Sequence, residues 1–144
     1  MNLYLKVTDY SDVPVNSNID LTLHANCDEI IDVFFIDEDD GAVDISDATV
    51  YFVVKNKPTD TDANAVLNLS YASSTFPCAS GGEASITLLD STTAALLGNY
   101  IYQILIKFTG GTPIKVAAEG TICFQRDILT TPGGTGATAG PAPY

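Results

Sequence analysis

In two long stretches of this chain, every second residue is suited to a buried core and the residues between them are suited to solvent. The first is 98–108 (GNYIYQILIKF) and the second is 113–125 (PIKVAAEGTICFQ). Such alternation is typical of β-strands that bury one face. The predicted core faces are Tyr100, Tyr102, Ile104, Ile106 and Phe108, and Ile114, Val116, Ala118, Gly120, Ile122 and Phe124. The turn signal TGGTP between the two stretches predicts a hairpin.

Further short runs have strand-like patterns, and turn signals such as DEDDG, NKPTDTD and SGG separate them. These runs are Leu3–Val7, Ile19–Ala25, Ile30–Ile36, Thr49–Lys55, Ala65–Leu69 and Ala84–Leu89. The segment DSTTAALLG instead predicts one short helical turn, with Asp90 or Ser91 as the N-cap and Gly98 as the C′ residue. About seven to eight short strands predict an all-β, antiparallel sandwich with this single helical turn.

The length of 144 residues corresponds to one domain. Hydrophobic residues make up 46% of the chain and charged residues 17%, a balance that predicts a folded core. We expect a sandwich domain with an N-terminal arm over 1–129. Residues 130–144 (TTPGGTGATAGPAPY) predict an extended tail, because Gly, Ala, Thr and Pro bury little surface. This tail is either a frayed terminus or an arm in which Tyr144 anchors against a neighbouring subunit.

The charge balance argues against two classes of partner. Eighteen acidic residues against six basic ones give a net charge of −12. Binding to nucleic acid or to an anionic membrane surface depends on clustered Lys and Arg, so we expect neither partner. The N-terminal stretch MNLYLKVTDYSD has no signal-peptide pattern, and no run approaches the roughly 20 apolar residues of a membrane span. We therefore expect the protein to stay in the cytosol in which it is made.

Candidate catalytic and cofactor residues are few. Cys27, Cys78 and Cys123 lack a C-x-x-C spacing, so we expect three buried thiols that act as small hydrophobic groups. The single histidine, His24, shares a predicted solvent face with Asp20 and Thr22 and is interpreted as a surface residue. It would meet Cys27 only if the strand ended between them. We expect no enzyme activity, no cofactor and no metal.

The acidic stretch 37–41 (DEDDG) admits three interpretations. It lacks the spacing of an EF-hand loop and the distal bidentate Glu that such a loop uses. A general acid–base pair needs a desolvated carboxyl group, whereas adjacent carboxylates at a turn are well hydrated. We interpret the stretch as a solvated tight turn in which Asp-Asp-Gly permits positive φ. Weak calcium binding is the alternative, and we expect no site of better than millimolar affinity.

Two segments carry a pattern that resembles a known family. The first, 41–55, opens a strand with Gly-x-x-Asp-[Leu/Ile]-[Thr/Ser]-x-Ala, and the second, 84–128, places a helical turn over Thr92–Leu97 before Gly-x-Tyr-x-Tyr-x-[Ile/Leu]. The matching residues are Gly41, Asp44, Ile45, Ser46 and Ala48, followed by Gly98, Tyr100, Tyr102 and Ile104. Together the segments resemble the immunoglobulin-like β-sandwich of tailed-bacteriophage virion proteins. The N-terminal domain of the baseplate upper protein family is the family they resemble.

This resemblance implies a non-enzymatic structural protein of the virion, assembled in the host cytoplasm and present in multiple copies or as a homo-oligomer. Its partners would be capsid subunits, for a decoration or cement protein, or tail and baseplate subunits. A carbohydrate-binding module for the host surface is the alternative function.

The resemblance also implies roles for individual residues. Ile45 would fill the core, Gly98 would end the helical turn, and Tyr100 would make a contact like that of a tyrosine corner. The half-apolar outer sides of two predicted strands suggest a partner-binding surface. Its residues are Tyr51, Val53, Ile101 and Leu105, with Tyr144 in the tail.

Overall fold

The computed structural model describes residues 2–6, 17–25, 27–37, 39–109 and 114–126. Within them the chain forms nine β-strands and one short α-helix. The strands are β1 (Asn2–Lys6), β2 (Ser17–Asn18), β3 (Leu21–Ala25), β4 (Glu29–Ile36), β5 (Ala48–Lys55), β6 (Leu67–Ala72), β7 (Glu83–Leu88), β8 (Gly98–Phe108) and β9 (Lys115–Arg126), and the helix is α1 (Asp90–Thr93). Three 3₁₀ turns cover Asp62–Asn64, Ser73–Thr75 and Ala79–Gly81.

The strands form the predicted all-β sandwich of two sheets. The smaller sheet has the order β1-β4-β7, and the larger one has the order β2-β9-β8-β5-β6, with β3 also paired to β9. β4 pairs with β7 in the smaller sheet, and β9, β8 and β5 are neighbours in the larger sheet. The same arrangement occurs in immunoglobulin-like sandwiches, in which strands B and E lie in one sheet and strands C, F and G lie in the other. The predicted hairpin is confirmed, because β8 and β9 pair antiparallel. Its tip, 110–113, lies outside the described residues.

The predicted antiparallel pairing does not extend to the N-terminal strands. β1 pairs parallel with β4, and both β2 and β3 pair parallel with β9. The alternation of apolar residues fixes which face a strand buries, but it carries no information about strand direction. The other pairings, β4–β7, β5–β6, β5–β8 and β8–β9, are antiparallel as expected.

The core lies between the sheets and follows the predicted alternation. β5 buries every second residue, with Val50, Phe52 and Val54 fully enclosed. On β8 the predicted core face is confirmed, since Tyr102, Ile104, Ile106 and Phe108 are buried and Tyr100 is half-buried. The smaller sheet contributes a matching inner face: Leu3, Leu5, Ile31, Val33, Phe35, Ala84, Ile86 and Leu88.

A β-bulge in β9 overturns part of the predicted core face. Ile104 pairs with Ala118, but its neighbour Leu105 pairs with Val116, so one residue of β9 is skipped. Both Ala117 and Ala118 are buried as a result. The extra residue reverses the alternation, since each side chain before the bulge changes face. Val116 therefore shares a face with Leu105 instead of entering the core, and Ile114 is 51% exposed.

The predicted helical turn exists, but its ends differ from the prediction. The helix ends at Thr93, and its N-cap is Leu89 rather than Asp90 or Ser91. The N–H of Asp90 donates to Asp28 Oδ1 at 2.8 Å, so the cap comes from a residue distant in sequence. Gly98 does not end the helix. It begins β8 with φ of +102°, which turns the chain into the strand.

The prediction of three buried cysteines is also wrong. Cys78 is exposed, and Cys27 and Cys123 are half-buried. None of the three forms a disulfide bond with another cysteine of the described part of the chain. Cys123 lies on the outer side of β9, next to the buried Ile122 and Phe124, because strict alternation places it there. The absence of a C-x-x-C spacing therefore does not indicate that a cysteine is buried, whereas the alternation of β9 places Cys123 on the outer side.

Candidate functional site

The acidic turn between β4 and β5 is organised by its first carboxylate. Asp37 Oδ1 accepts hydrogen bonds from the N–H of Asp39 at 2.9 Å and of Gly41 at 2.8 Å. The N–H of Asp37 donates to the carbonyl of Gly41 at 2.8 Å, which closes the turn. The predicted positive φ occurs at Asp40, at +64°. A Cβ at Gly41 would lie 3.0 Å from Asp37 Oδ2, so glycine leaves room for this carboxylate.

The residues after this turn place the chain in the core. Asp44 Oδ1 accepts bonds from the Ser46 hydroxyl at 2.5 Å and the Ser46 N–H at 2.9 Å, and these two bonds lower the pKa of Asp44. Ile45 is fully buried, and its N–H donates to the carbonyl of Ala79 at 2.9 Å. The predicted burial of Ile45 is confirmed, and Asp44 shapes the bend that leads into β5.

Two tyrosines at the start of β8 donate hydrogen bonds from their hydroxyl groups to backbone carbonyls of other segments. The Tyr100 hydroxyl donates to the carbonyl of Leu97 at 3.2 Å, which confirms the predicted contact to backbone a few residues upstream. The Tyr102 hydroxyl donates to the carbonyl of Ile19 at 2.5 Å, between β2 and β3. Burial raises the pKa of Tyr102, and the negative charge of Asp20 adds to the shift. These contacts stabilise the fold.

The outer face of the larger sheet brings together the predicted partner-binding residues. Tyr51 of β5 pairs with Leu105 of β8, and Val53 lies one row away on the same side of β5. Ile101 of β8 pairs with Lys55 in the next row. The four predicted residues in the described part of the chain are half-buried, so each keeps apolar surface for a partner. The fifth, Tyr144, lies outside the described residues.

Sequence reasoning missed one member of this face. Val116 pairs with Leu105, so Tyr51, Leu105 and Val116 form a row across three strands. The half-buried Val116 reaches this row only because of the bulge in β9. The sequence signal for the bulge is the pair Ala117 and Ala118, because two adjacent residues can both enter the core when both are small. We call Tyr51, Val53, Ile101, Leu105 and Val116 the docking face.

A depression of about 350 Å³ lies beside this row and includes two docking-face residues. It is lined by Val53, Lys55, Pro58, Ile101, Tyr102, Gln103, Glu119, Gly120 and Thr121. Gln103 Nε2 donates to Glu119 Oε2 at 3.4 Å, in the row that also contains Val53. A depression that combines apolar residues such as Val53 and Ile101 with polar groups such as Gln103 and Glu119 is suited to receive a side chain of a partner protein.

The residues considered above for catalysis or metal binding do not belong to the docking face or to the lining of the depression. β3 ends at Ala25, between His24 and Cys27, and the exposed His24 Nδ1 lies 3.9 Å from Glu29 Oε1. Over the described ranges, no group of three or more His, Cys, Asp or Glu residues is placed to hold a metal ion. Nor does any helix in this part of the chain have the length and hydropathy to cross a membrane.

The similarities found between this chain and known proteins are structural and distant. No family model matches the chain, and no curated protein matches it. Among solved structures, the N-terminal domain of phage TP901-1 ORF48 is 9% identical, with a TM-score of 0.49 over 87% of this chain and 99% of that one.

Two other similar structures are auracyanins. Auracyanin A, a blue copper protein of the green thermophilic photosynthetic bacterium Chloroflexus aurantiacus, is 16% identical, with a TM-score of 0.37 over 87% of this chain and 100% of that one. Auracyanin B is 16% identical, with a TM-score of 0.35 over 85% and 88%. A phage protein domain is thus among the chains that this one resembles, and similarities at this level carry no functional argument.

Proposed function

We propose that this protein is a non-enzymatic structural component of a tailed-bacteriophage virion that binds other virion proteins through its docking face. The observation that carries the proposal is the apolar row Tyr51–Leu105–Val116 beside the depression at Val53 and Ile101. The virion assignment rests on the sequence pattern that opens β5 and β8. In the structure, Ile45 and Tyr100 make the contacts that this pattern implies.

The energetics of the docking face suit a weak contact that is repeated many times. Burying apolar surface contributes about 25 cal/mol per Å², but association also costs several kcal/mol of lost freedom. A face with a few half-buried apolar residues therefore supports modest affinity in a single copy. Multiple copies on a symmetric particle increase the effective affinity without new contacts. This mode of binding fits a decoration or cement protein and also a baseplate component.

The proposal includes no catalytic step. The one histidine is exposed near the end of β3, and its Nδ1 lies 3.9 Å from Glu29 Oε1. The acidic turn uses Asp37 to bind its own backbone N–H groups. The groups described at the turn and at the docking face thus serve fold and contact.

Rebinding to particles that lack this protein tests the proposal. We expect saturable binding of the purified chain and a loss of at least about tenfold in affinity for Leu105→Glu, since a charge would be buried at the centre of the contact. Ser91→Glu is the control, because Ser91 is exposed on α1, where the chain passes from one sheet to the other, and belongs to neither outer sheet face. Assays on separated heads and tails distinguish the decoration role from the baseplate role.

Two results would overturn the proposal. One is a failure of the wild-type chain to rebind such particles. The other is equal rebinding by Leu105→Glu and Ser91→Glu, which would remove the docking face from the contact. Saturable binding to host-surface glycans without particle binding would instead support the carbohydrate-binding alternative.

A further inference from the structure

The outer side of the smaller sheet carries a stacked aromatic pair. The rings of Tyr4 on β1 and Phe34 on β4 have centroids 4.9 Å apart and an interplanar angle of 16°. Tyr4 is 61% exposed, although its neighbours Leu3 and Leu5 are buried. A large aromatic ring left in water on a sheet face has no role in core packing, and such surfaces often mark interaction sites.

Carboxylates lie beside this aromatic pair in the same sheet. Phe34 pairs with Glu83 of β7, so Tyr4, Phe34 and Glu83 form one row across the three strands. Asp32, two residues before Phe34, lies in the next row and accepts a hydrogen bond from the Ser85 hydroxyl at 2.8 Å. Strand spacing of about 4.8 Å brings both carboxylates within the reach of one long side chain placed over the rings.

The charges around this face favour a cationic partner. The lysine side chains that the structure describes, Lys55, Lys57 and Lys107, belong to strands of the larger sheet or to the loop that follows β5. Lys6 is part of β1 in register with Ile36, two residues beyond Tyr4. The whole chain carries a net charge of −12. A partner segment with positive charge would therefore be attracted to the chain and would meet carboxylates at this face.

We propose that the face formed by Tyr4, Phe34, Asp32 and Glu83, the aromatic–acidic face, binds an arginine-bearing segment of a partner protein. A guanidinium group stacks on aromatic rings and pairs with carboxylates in the same plane, whereas an ammonium group is a compact, strongly hydrated charge. The combination of an exposed aromatic pair and two nearby carboxylates matches the first chemistry better. Binding here is independent of the docking face, which lies on the other sheet.

The two faces together would let one chain join two proteins, because the outer sides of a sandwich point in opposite directions. The docking face is mainly apolar, and the aromatic–acidic face is charged. Contacts at the second face should therefore weaken as salt increases, while contacts at the first should not. This difference allows the two to be tested separately.

Amide chemical shifts of the full chain, titrated with short capped peptides, test the inference. The probes are nine-residue peptides in which arginine, lysine or glutamine alternates with serine. We expect saturable shifts with the arginine peptide, centred on 2–5, 31–34 and 83–85, weaker binding of the lysine peptide and none of the glutamine peptide. Tyr4→Ser should weaken arginine-peptide binding about two- to fivefold, the loss expected for an exposed cation–π contact.

Glu83→Gln tests the carboxylate, and Asp90→Asn is its control, because Asp90 is an exposed carboxylate that follows the opposite end of β7 from Glu83. We expect weaker binding for the first variant and unchanged binding for the second. Tyr4 is exposed and Glu83 is half-buried, so we expect both variants to fold. Unchanged chemical shifts in the rest of the chain would confirm this. The inference is wrong if the shifts spread over the whole acidic surface, or if Tyr4→Ser binds as well as wild type. It is also wrong if maltoheptaose, an uncharged sugar, saturates the same face.

Discussion

Replacement of Tyr102 by phenylalanine removes one hydroxyl group and keeps the shape of the buried ring. In the wild type this hydroxyl donates to the carbonyl of Ile19 at 2.5 Å and connects β8 to the segment between β2 and β3. Tyr102 is 2% exposed and the hydrogen bond is partly buried, so the variant leaves the carbonyl of Ile19 without this partner. Loss of a neutral hydrogen bond with an acceptor left unsatisfied costs about 1–3 kcal/mol.

Urea denaturation measures this cost. With a slope of roughly 2 kcal/mol per M for a domain of this size, a loss of about 2 kcal/mol lowers the midpoint by about 1 M. Tyr100→Phe is the matched control, because the hydroxyl of this half-buried tyrosine donates to Leu97 at the longer distance of 3.2 Å. We expect a smaller loss there, below about 1 kcal/mol, since water can replace an exposed partner. Equal midpoints for Tyr102→Phe and wild type would refute the reasoning.

The stabilisation that the Tyr102 hydroxyl provides should depend on pH. Burial, followed by the charge of Asp20, raises the pKa of Tyr102 in the folded state. A raised folded-state pKa means that the stabilisation is complete below the unfolded value of about 10 and is lost as the pH rises through the folded value. Wild-type stability should therefore fall more steeply above about pH 10 than that of Tyr102→Phe. Parallel curves for the two proteins in alkaline solution would contradict this assignment.

Three further predictions concern the turns and the core. Ile45→Ala should cost about 2–5 kcal/mol in thermal or urea unfolding, because this fully buried side chain fills the core where β5 begins; a loss below about 1 kcal/mol would contradict that role. Gly82→Ala should cost at least about 2 kcal/mol, since φ is +78° and a Cβ would lie 2.6 Å from the carbonyl oxygen of Phe35. Gly98→Ala should cost less, because nothing lies within 4 Å of its Cβ position. Ser46→Ala removes the hydroxyl bond to Asp44 and keeps the N–H bond, so the lowered pKa of Asp44 should rise part of the way toward its ordinary value in a carboxyl NMR titration; an unchanged pKa would exclude the hydroxyl bond as the main cause.

Much of the fold could be predicted because burial follows a period of two. The alternation of residues 98–108 alone predicts β8, because a residue and its near neighbours determine which face is buried. The burial of Ile45 is what the resemblance to the virion family implies, and Ile45 is fully buried. The acidic turn belongs to the same class, because Asp and Gly at its end permit the positive φ observed at Asp40.

Other features depend on contacts between distant segments. The parallel direction of β1, β2 and β3 is set by how the chain crosses between the sheets, which alternation does not encode. The cap that Asp28 provides for α1 joins residues 62 positions apart. The stacked pair of Tyr4 and Phe34 likewise depends on the parallel register of β1 with β4. None of these features has a local signature.

The docking face shows both cases within one surface. Tyr51, Val53, Ile101 and Leu105 were identified from the half-apolar sides of two strands, and the structure brings them to one face. Val116 was assigned to the core because the alternation was extended through Ala117 without a break. A bulge adds one residue to a strand, so a pattern read across it assigns every earlier side chain to the wrong face.

A side-chain-resolution density map of particles reassembled with this protein would show the docking face and its partner together. We expect Tyr51, Leu105 and Val116 to lie against another virion protein and a side chain of that partner to occupy the depression at Val53 and Ile101. A map in which the chain is attached to the particle while these five side chains face solvent would contradict the proposed docking.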